Sequence, residues 1–193
     1  ICAIVILILS VLAFRQTSLW KSSETLYENS LRITEKNYFI ITNLCLHHFI
    51  KSAPQIAEPR CTELFAQTPP SPESNYVLGV LRTQTGKFDQ SIQNFEAAIR
   101  VRPDWGILYT GFANTLARAG KPDEAEKNLQ KAFSIGDGSL NNDNLAGSAN
   151  NVGTAFLIQK RNEKAIEYFT KAIELKPDLR EAQENLRKAK GEK

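Results

Sequence analysis

The chain has 193 residues, of which 42% are hydrophobic and 23% charged, and its net charge is +3. These proportions are typical of soluble protein over most of the length. The small net charge, with no basic stripe interleaved with aromatic residues, argues against nucleic-acid binding. The presence of two histidines and no Cys-x-x-Cys pair argues against a zinc site.

The first predicted element is an uninterrupted apolar run over residues 1–14. As a helix it would span about 21 Å, less than the roughly 30 Å hydrocarbon core of a bilayer. Because the chain starts at isoleucine and contains no methionine, we expect a truncated transmembrane helix in a fragment of a longer protein. A signal-peptide remnant and a buried core helix are the alternatives. The lack of a basic n-region and of a small-residue cleavage site disfavours the signal peptide.

Residues 15–37 form a juxtamembrane segment followed by one predicted helix. Ser22 and Ser23 are suited to cap a helix, and Glu24 falls in its first turn, where a negative charge is favourable. Residues 22–34 are therefore expected to be helical. One period before the following repeat, these residues occupy the position of a second helix. They are therefore expected to form half of a repeat.

A 34-residue pattern occurs three times, over residues 72–105, 106–139 and 146–179, with residues 140–145 inserted as a polar loop before the last copy. In each copy, apolar residues follow helical spacing on either side of a short break. Small residues recur where two helices must approach closely: Gly79, Ser91 and Ala98, then Ala113, Ala125 and Ala132, then Gly153, Ala165 and Ala172. A period of this length predicts stacked helical hairpins.

The same register extends in both directions. Residues 38–71 fit it as a divergent copy, whose short second helix is expected to start at or just before Pro59. Residues 180–193 are charged on most faces, with Ala182 and Leu186 as an apolar stripe, and are predicted to form a capping helix.

These repeats resemble the tetratricopeptide repeat. The resemblance is carried by the small-residue pattern, the aromatic residue in mid-helix, and the closing prolines Pro103 and Pro177. Residues 165–177 are especially close to that family's second helix. The predicted fold class is therefore all-α, a tetratricopeptide-repeat solenoid of stacked helical hairpins preceded by a truncated transmembrane helix.

Cys45 and Cys61 fall on the two helices of the divergent copy, in the small-residue and aromatic positions that face each other in the other copies. A disulfide between them is geometrically possible in an oxidising compartment. The alternative is a pair of buried free thiols that pack as small hydrophobic groups.

No catalytic constellation is present in the sequence. His47 and His48 are adjacent, not four apart as a helical metal pair requires, and no Gly-x-Ser-x-Gly or Gly-x-x-x-x-Gly-Lys motif occurs. We therefore predict no catalytic residue, no metal and no cofactor in this chain.

In the tetratricopeptide family the first helices line a concave face that binds ligands. The resemblance predicts that these residues project there: Tyr76, Val80, Thr83, Gln84, Thr110, Asn114, Ala117, Asn150, Thr154 and Leu157. Amides, hydroxyls and small apolar groups suit an extended peptide, although helix packing or solvation is the alternative for each residue. The family's lysine-and-asparagine clamp for chaperone C-termini is absent, because Tyr76 and Val80 occupy its positions.

The junction carries a second resemblance. It is similar to the end of the last membrane helix in multi-span GT-C-type glycosyltransferases with C-terminal tetratricopeptide repeats, such as the transmembrane O-mannosyltransferases. The similarity lies in Phe14-Arg15-Gln16, Leu19-Trp20-Lys21 and Thr25-Leu26-Tyr27. This resemblance implies repeats on the periplasmic or lumenal side of the membrane. The positive-inside rule, applied to Arg15 and Lys21, points towards the cytoplasm instead. Tryptophan and basic residues would also suit any membrane interface.

We therefore expect a membrane-anchored scaffold that binds protein or peptide partners through its concave face. The alternative is the acceptor-positioning tail of a GT-C-like membrane glycosyltransferase whose active site lies upstream. A third hypothesis, self-association of the stack, would be detected by concentration-dependent sedimentation.

Overall fold

The computed structural model describes residues 22–34, 37–136 and 138–192. The predicted transmembrane helix, the junction residues 15–21 and Asp137 lie outside these ranges. The described part is all-α, as predicted, and contains no strand. Its helices are α1 (Ser23–Ile33), α2 (Tyr38–Lys51), α3 (Pro54–Phe65), α4 (Pro72–Gln84), α5 (Phe88–Val101), α6 (Gly106–Arg118), α7 (Pro122–Ile135), α8 (Asn142–Ile158), α9 (Asn162–Leu175) and α10 (Arg180–Lys190). No helix within the described ranges combines the length and apolar character needed to cross a bilayer.

The chain divides into two compact units, Ile1–Pro70 and Ser71–Lys193. In the first unit, α1 packs on α2, and α2 packs on α3. Ser22 caps α1 as predicted, because its side chain accepts a hydrogen bond from the N–H of Thr25. The small core of this unit consists of buried residues from α2 and α3: Ile41, Leu44, Cys45, Ala57, Cys61 and Phe65.

The expectation that the second helix of the divergent copy starts at or just before Pro59 is wrong. Helix α3 begins at Pro54, which occupies its first turn, and Pro59 lies inside the helix. Proline is tolerated in the first turn because the N–H there has no helical partner in any case. Pro59 cannot donate to the carbonyl of Gln55, but both residues are exposed, so water can satisfy that carbonyl.

The second unit is a stack of three helical hairpins, α4–α5, α6–α7 and α8–α9, closed by α10. The first two hairpins lie within residues 72–105 and 106–139, whereas the third begins at Asn142, before the copy over residues 146–179. The first helices α4, α6, α8 and α10 pack side by side, whereas among the described residues no second helix packs directly on the next second helix. Because the first helices lie closer together, the stack curves towards them. Their solvent-facing side is called the first-helix face below.

Each hairpin closes by packing a small residue against a large one. A Cβ at Gly79 would lie 2.8 Å from the ring of Phe95, and a Cβ at Gly153 would lie 2.7 Å from the ring of Phe169. These separations are shorter than van der Waals contact, so only glycine permits this approach of the two helices. The small-residue pattern of the sequence is therefore a packing requirement.

The sequence predicts a polar loop over residues 140–145. In the structure, only the first part of this insertion is a loop. Helix α8 begins at Asn142 and is 17 residues long, against 13 in α4 and α6. The side chain of Asn141 caps it, accepting a hydrogen bond from the N–H of Asn144 at 2.8 Å. Most of the insertion thus adds a turn to the start of α8.

Candidate functional site: the first-helix face of the second unit

A cleft of about 570 Å³ opens beside the C-terminal ends of α6 and α8. It is lined by residues of α6, α8 and the α6–α7 turn, together with the first residue of α5: Phe88, Ala117, Arg118, Ala119, Gly120, Asn151, Thr154, Ala155, Ile158 and Gln159. Its volume falls within the range of about 300–1,000 Å³ that is usual for ligand pockets. Gln159 donates to the carbonyl of Gly120 at 3.1 Å and so ties the end of α8 to the turn.

Side-chain amides join neighbouring first helices along this face. Nδ2 of Asn151 on α8 donates to Oδ1 of Asn114 on α6 at 3.1 Å. On the next pair of helices, Nδ2 of Asn185 on α10 donates to Oδ1 of Asn150 at 3.1 Å and to the hydroxyl of Thr154 at 3.5 Å. These bonds hold the amides in fixed orientations.

The Asn114–Asn151 pair retains hydrogen-bonding capacity. A side-chain amide has two N–H donors and one carbonyl acceptor. Among the described residues, Nδ2 of Asn114 and Oδ1 of Asn151 have no hydrogen-bond partner, and both side chains are only half-buried. The pair therefore retains an unpaired amide nitrogen on Asn114 and an unpaired amide oxygen on Asn151, the two kinds of group that bind the C=O and N–H of a peptide unit.

The open side of the cleft is apolar. Ile158 is 77% exposed, the largest exposed fraction among the large hydrophobic residues of the described chain. Phe88, Ala117 and Ala155 complete the apolar lining. The guanidinium of Arg118 lies 6.0 Å from the ring centroid of Phe88 and adds a positive charge at the rim.

The structure places the ten predicted ligand-binding residues in different environments. Val80, Asn114 and Thr154, at one equivalent position of the three copies, are half-buried on the first helices, and Gln84 is exposed. Thr83, Thr110, Ala117 and Asn150 are buried. Of the ten, only Ala117 and Thr154 line the cleft.

Several of the predicted residues pack between helices. The hydroxyl of Thr83 is hydrogen-bonded to those of Ser91 at 2.8 Å and Thr115 at 2.7 Å. Thr110 is buried and bonds within its own helix, donating to the carbonyl of Ile107 at 2.9 Å, and Leu157 packs against the core.

Tyr76 likewise belongs to a packed cluster. Its ring lies 6.3 Å from that of Phe95 and 5.9 Å from that of Trp105, measured between centroids. Burial raises the pKa of its hydroxyl above the ordinary value. The phenol therefore stays protonated at neutral pH.

Sequence reasoning missed Asn151, Ile158 and Gln159. Ile158 occupies the position of Gln84 and Arg118 in the preceding copies, and that change from polar to apolar is a signal visible in the sequence. Asn151 gives no such signal, because adjacent residues of a helix point about 100° apart and either neighbour could face the ligand.

A second cleft, of about 420 Å³, lies in the first unit and is lined by a mixture of charged, polar and leucine side chains. Nδ1 of buried His48 lies 3.9 Å from the carboxylate of Glu24, which also lies 3.6 Å from Arg60. Burial, and then the charge of Arg60, lower the pKa of His48, against the opposing effect of Glu24. Within the described ranges, no group of three or more His, Cys, Asp or Glu side chains could hold a metal ion.

Comparison with known proteins places this fold in a family. Two tetratricopeptide-repeat profiles match residues 72–104 and 106–178, which together make up more than half of the chain. The chain belongs to the tetratricopeptide-repeat family.

One curated relative and several solved structures show similarity. The protein O-mannosyl-transferase TMTC1 of Homo sapiens is 29% identical over 100 residues, which are 52% of this chain and 11% of that protein. The chain thus spans about a tenth of the length of this relative.

Among solved structures, YrrB superposes with a TM-score of 0.65 at 18% identity, over 90% of this chain and 86% of YrrB. MamA superposes with a TM-score of 0.64 at 19% identity, over 84% of this chain and 92% of MamA. The first tetratricopeptide domain of Spaghetti (RPAP3) superposes with a TM-score of 0.53 at 22% identity, over 62% of this chain and 90% of that domain. At these identities the likeness concerns the fold.

Proposed function

We propose that this chain is a scaffold that binds an extended segment of a partner polypeptide along the first-helix face of its second unit. The observation that carries the proposal is the Asn114–Asn151 pair, whose unpaired amide nitrogen and oxygen are suited to bind the C=O and N–H groups of a peptide backbone. An apolar side chain of the ligand would occupy the adjoining cleft, against Ile158. Two structural neighbours support this kind of ligand: YrrB is described as having a peptide-binding site, and the RPAP3 domain was solved with the HSP90 peptide SRMEEVD.

An acidic chaperone tail is not the ligand that this face favours. The clamp positions are occupied by Tyr76, whose ring packs against Phe95 and Trp105, and by Val80. Neither residue supplies the positive charge or the amide that a C-terminal carboxylate needs. We propose instead a segment recognised through its backbone and one apolar side chain.

The test starts with short random peptides displayed on phage and selected against the full chain in a mild detergent. A recovered peptide is labelled and its affinity is measured by fluorescence anisotropy. Ile158→Asp should weaken binding about tenfold, because burial of roughly 60 Å² of apolar surface is worth about 1.5 kcal/mol. Asn114→Ala should weaken binding about threefold to tenfold through the loss of one hydrogen bond.

The matched control is Val101→Asp. Val101 is 68% exposed and, like Ile158, is the last residue of its helix, but it lies outside the cleft. The affinity of the Val101→Asp variant for the peptide should equal that of the parent chain. Equal affinities for all three variants, with unchanged circular dichroism, would contradict this location of the site.

A second function is favoured by the similarity to TMTC1. In this alternative, the chain is the tail of a GT-C-like membrane glycosyltransferase and presents acceptor polypeptide to an active site upstream. The apolar run over residues 1–14 would be the end of its last membrane helix, with the repeats on the periplasmic or lumenal side. The same peptide-binding face serves both proposals.

The coding sequence upstream of Ile1 tests this alternative. Several apolar spans, with an acidic residue in the first extracytoplasmic loop, would support the transferase, whereas a single span would support a tethered scaffold. Protease digestion of sealed vesicles tests the sidedness, since cleavage of the repeats from the cytoplasmic side would contradict the periplasmic or lumenal placement.

A further inference from the structure

Two thiols meet in the core of the first unit. Cys45 on α2 and Cys61 on α3 both have no solvent exposure, and these two helices pack against each other. The Cys61 thiol is close enough to Cys45 to raise the pKa of its thiol, and neither cysteine is in a disulfide. They therefore lie side by side across one hairpin.

The other hairpins show independently that these two positions touch. By the repeat register, Cys45 is equivalent to Gly79 and Gly153, and Cys61 is equivalent to Phe95 and Phe169. At both equivalent pairs, a Cβ built on the glycine would approach the aromatic ring within 3 Å. The first unit fills the same space with two side chains of intermediate size, each of which ends in sulfur.

We propose that Cys45 and Cys61 are an oxidisable pair that forms one disulfide across the α2–α3 hairpin. The inference goes beyond the proposed function, since it concerns the first unit and does not depend on a peptide ligand. The oxidant is a small-molecule disulfide such as oxidised glutathione. One thiolate attacks a glutathione sulfur and releases one reduced glutathione; the second thiolate attacks the resulting mixed disulfide and releases the other. Two protein thiols are oxidised and one glutathione disulfide is reduced to two thiols.

The environment determines when this reaction occurs. The neighbouring Cys61 thiol, and then burial, raise the pKa of the Cys45 thiol, so the closed hairpin contains little thiolate. The attack on glutathione therefore occurs during folding or local opening, and the attack of the second thiolate on the mixed disulfide follows as α2 and α3 come together. Closure of the hairpin then holds the two sulfur atoms together and excludes competing thiols.

The cross-link would reinforce a weak hairpin. Its core contains few residues, and Pro59 removes one backbone hydrogen bond from α3. Because the disulfide closes a short loop, it reduces the conformational entropy of the unfolded chain. The oxidised protein should unfold at a higher urea concentration than the reduced protein.

The test uses the full chain carrying Cys2→Ser, so that Cys45 and Cys61 are the remaining cysteines. The protein is refolded from urea in a glutathione buffer with excess oxidised form, alkylated, and digested with trypsin without reduction. Trypsin cuts after Lys51 and Arg60, so a disulfide would join peptide 37–51 to peptide 61–82. We expect this linked pair, its separation by dithiothreitol, and a higher urea midpoint for the oxidised sample.

Recovery of both peptides in alkylated form, after refolding in the oxidising buffer, would overturn the proposal. Mixed disulfides with glutathione as the final product at both cysteines, without the linked pair of peptides, would also overturn it. The variant Cys61→Ser in the same background is the control, and its urea midpoint should not respond to the oxidising buffer. Circular dichroism of each sample verifies that the helices have formed.

Discussion

Replacement of Gly153 by alanine should destabilise the third hairpin, whereas the same change at Gly147 in the same helix should stabilise it. A Cβ at Gly153 would lie 2.7 Å and 2.8 Å from two atoms of the buried Phe169 ring, whereas a Cβ at Gly147 would meet no atom within 4 Å. Both changes gain about 1 kcal/mol from helix propensity. Only the first incurs an overpacking cost, of about 1–3 kcal/mol.

The propensity gain cancels in the comparison of the two variants, so their difference measures the overpacking. For a chain of this size, 1 kcal/mol shifts the Tm by about 2–4 °C, and the two variants should differ by roughly 2–12 °C. The assay is thermal and urea unfolding of the full chain, followed by circular dichroism. Equal stability of the two variants would refute the packing argument.

A second substitution offers a rescue. In the preceding hairpin the equivalent pair is Ala113 and Leu129, both fully buried. Phe169→Leu in the Gly153→Ala background recreates that pair. The double variant should be more stable than the sum of the two single effects predicts, because the smaller side chain removes the clash. Simple additivity would mean that the ring and the Cβ do not meet.

Two further predictions concern single residues. Lys160 adopts φ +60° at the turn where the other hairpins have Gly86 and Gly120, so its backbone is strained. Lys160→Gly should therefore raise the free energy of unfolding, measured by urea titration, by about 0.5–1 kcal/mol. A decrease would contradict this backbone strain. The lowered pKa of His48 means that the unfolded chain binds the proton more readily. Stability should therefore be complete above the unfolded value of about 6.5 and decrease as the pH falls through the folded pKa. His48→Gln should reduce this pH dependence of the urea midpoint, and an unchanged profile would exclude His48 as its source.

The second unit follows the repeat pattern closely because its determinants are local. Helix α4 begins at Pro72, after the capping Ser71, and ends before the turn at Gly86, where the glycine has φ +78°. Caps, helical spacing and turn glycines act within a few residues of one another, so they can be recognised in the sequence. The small residues at Gly79 and Gly153 likewise indicate a close approach of two helices.

Local rules were insufficient at Pro59 and in the insertion. At Pro59, the rule that proline is excluded from the interior of a helix was overridden, because the residue whose carbonyl loses its partner is exposed to solvent. In the insertion, the cap provided by Asn141 let the following polar residues extend α8. In both places the outcome depended on which backbone groups water or a side chain could satisfy.

The sequence by itself determined the helical class, the repeat period, the hairpin register and the helices that present the first-helix face. The tertiary structure decided which side chains on that face reach solvent. Thr83 and Asn150 turn into the interface between first helices, whereas Asn151 and Ile158 line the cleft. The physical reason is that successive helical residues differ by about 100°, so a small rotation of one helix against its neighbour exchanges buried and exposed positions. That rotation is set by packing between repeats, which no local pattern encodes.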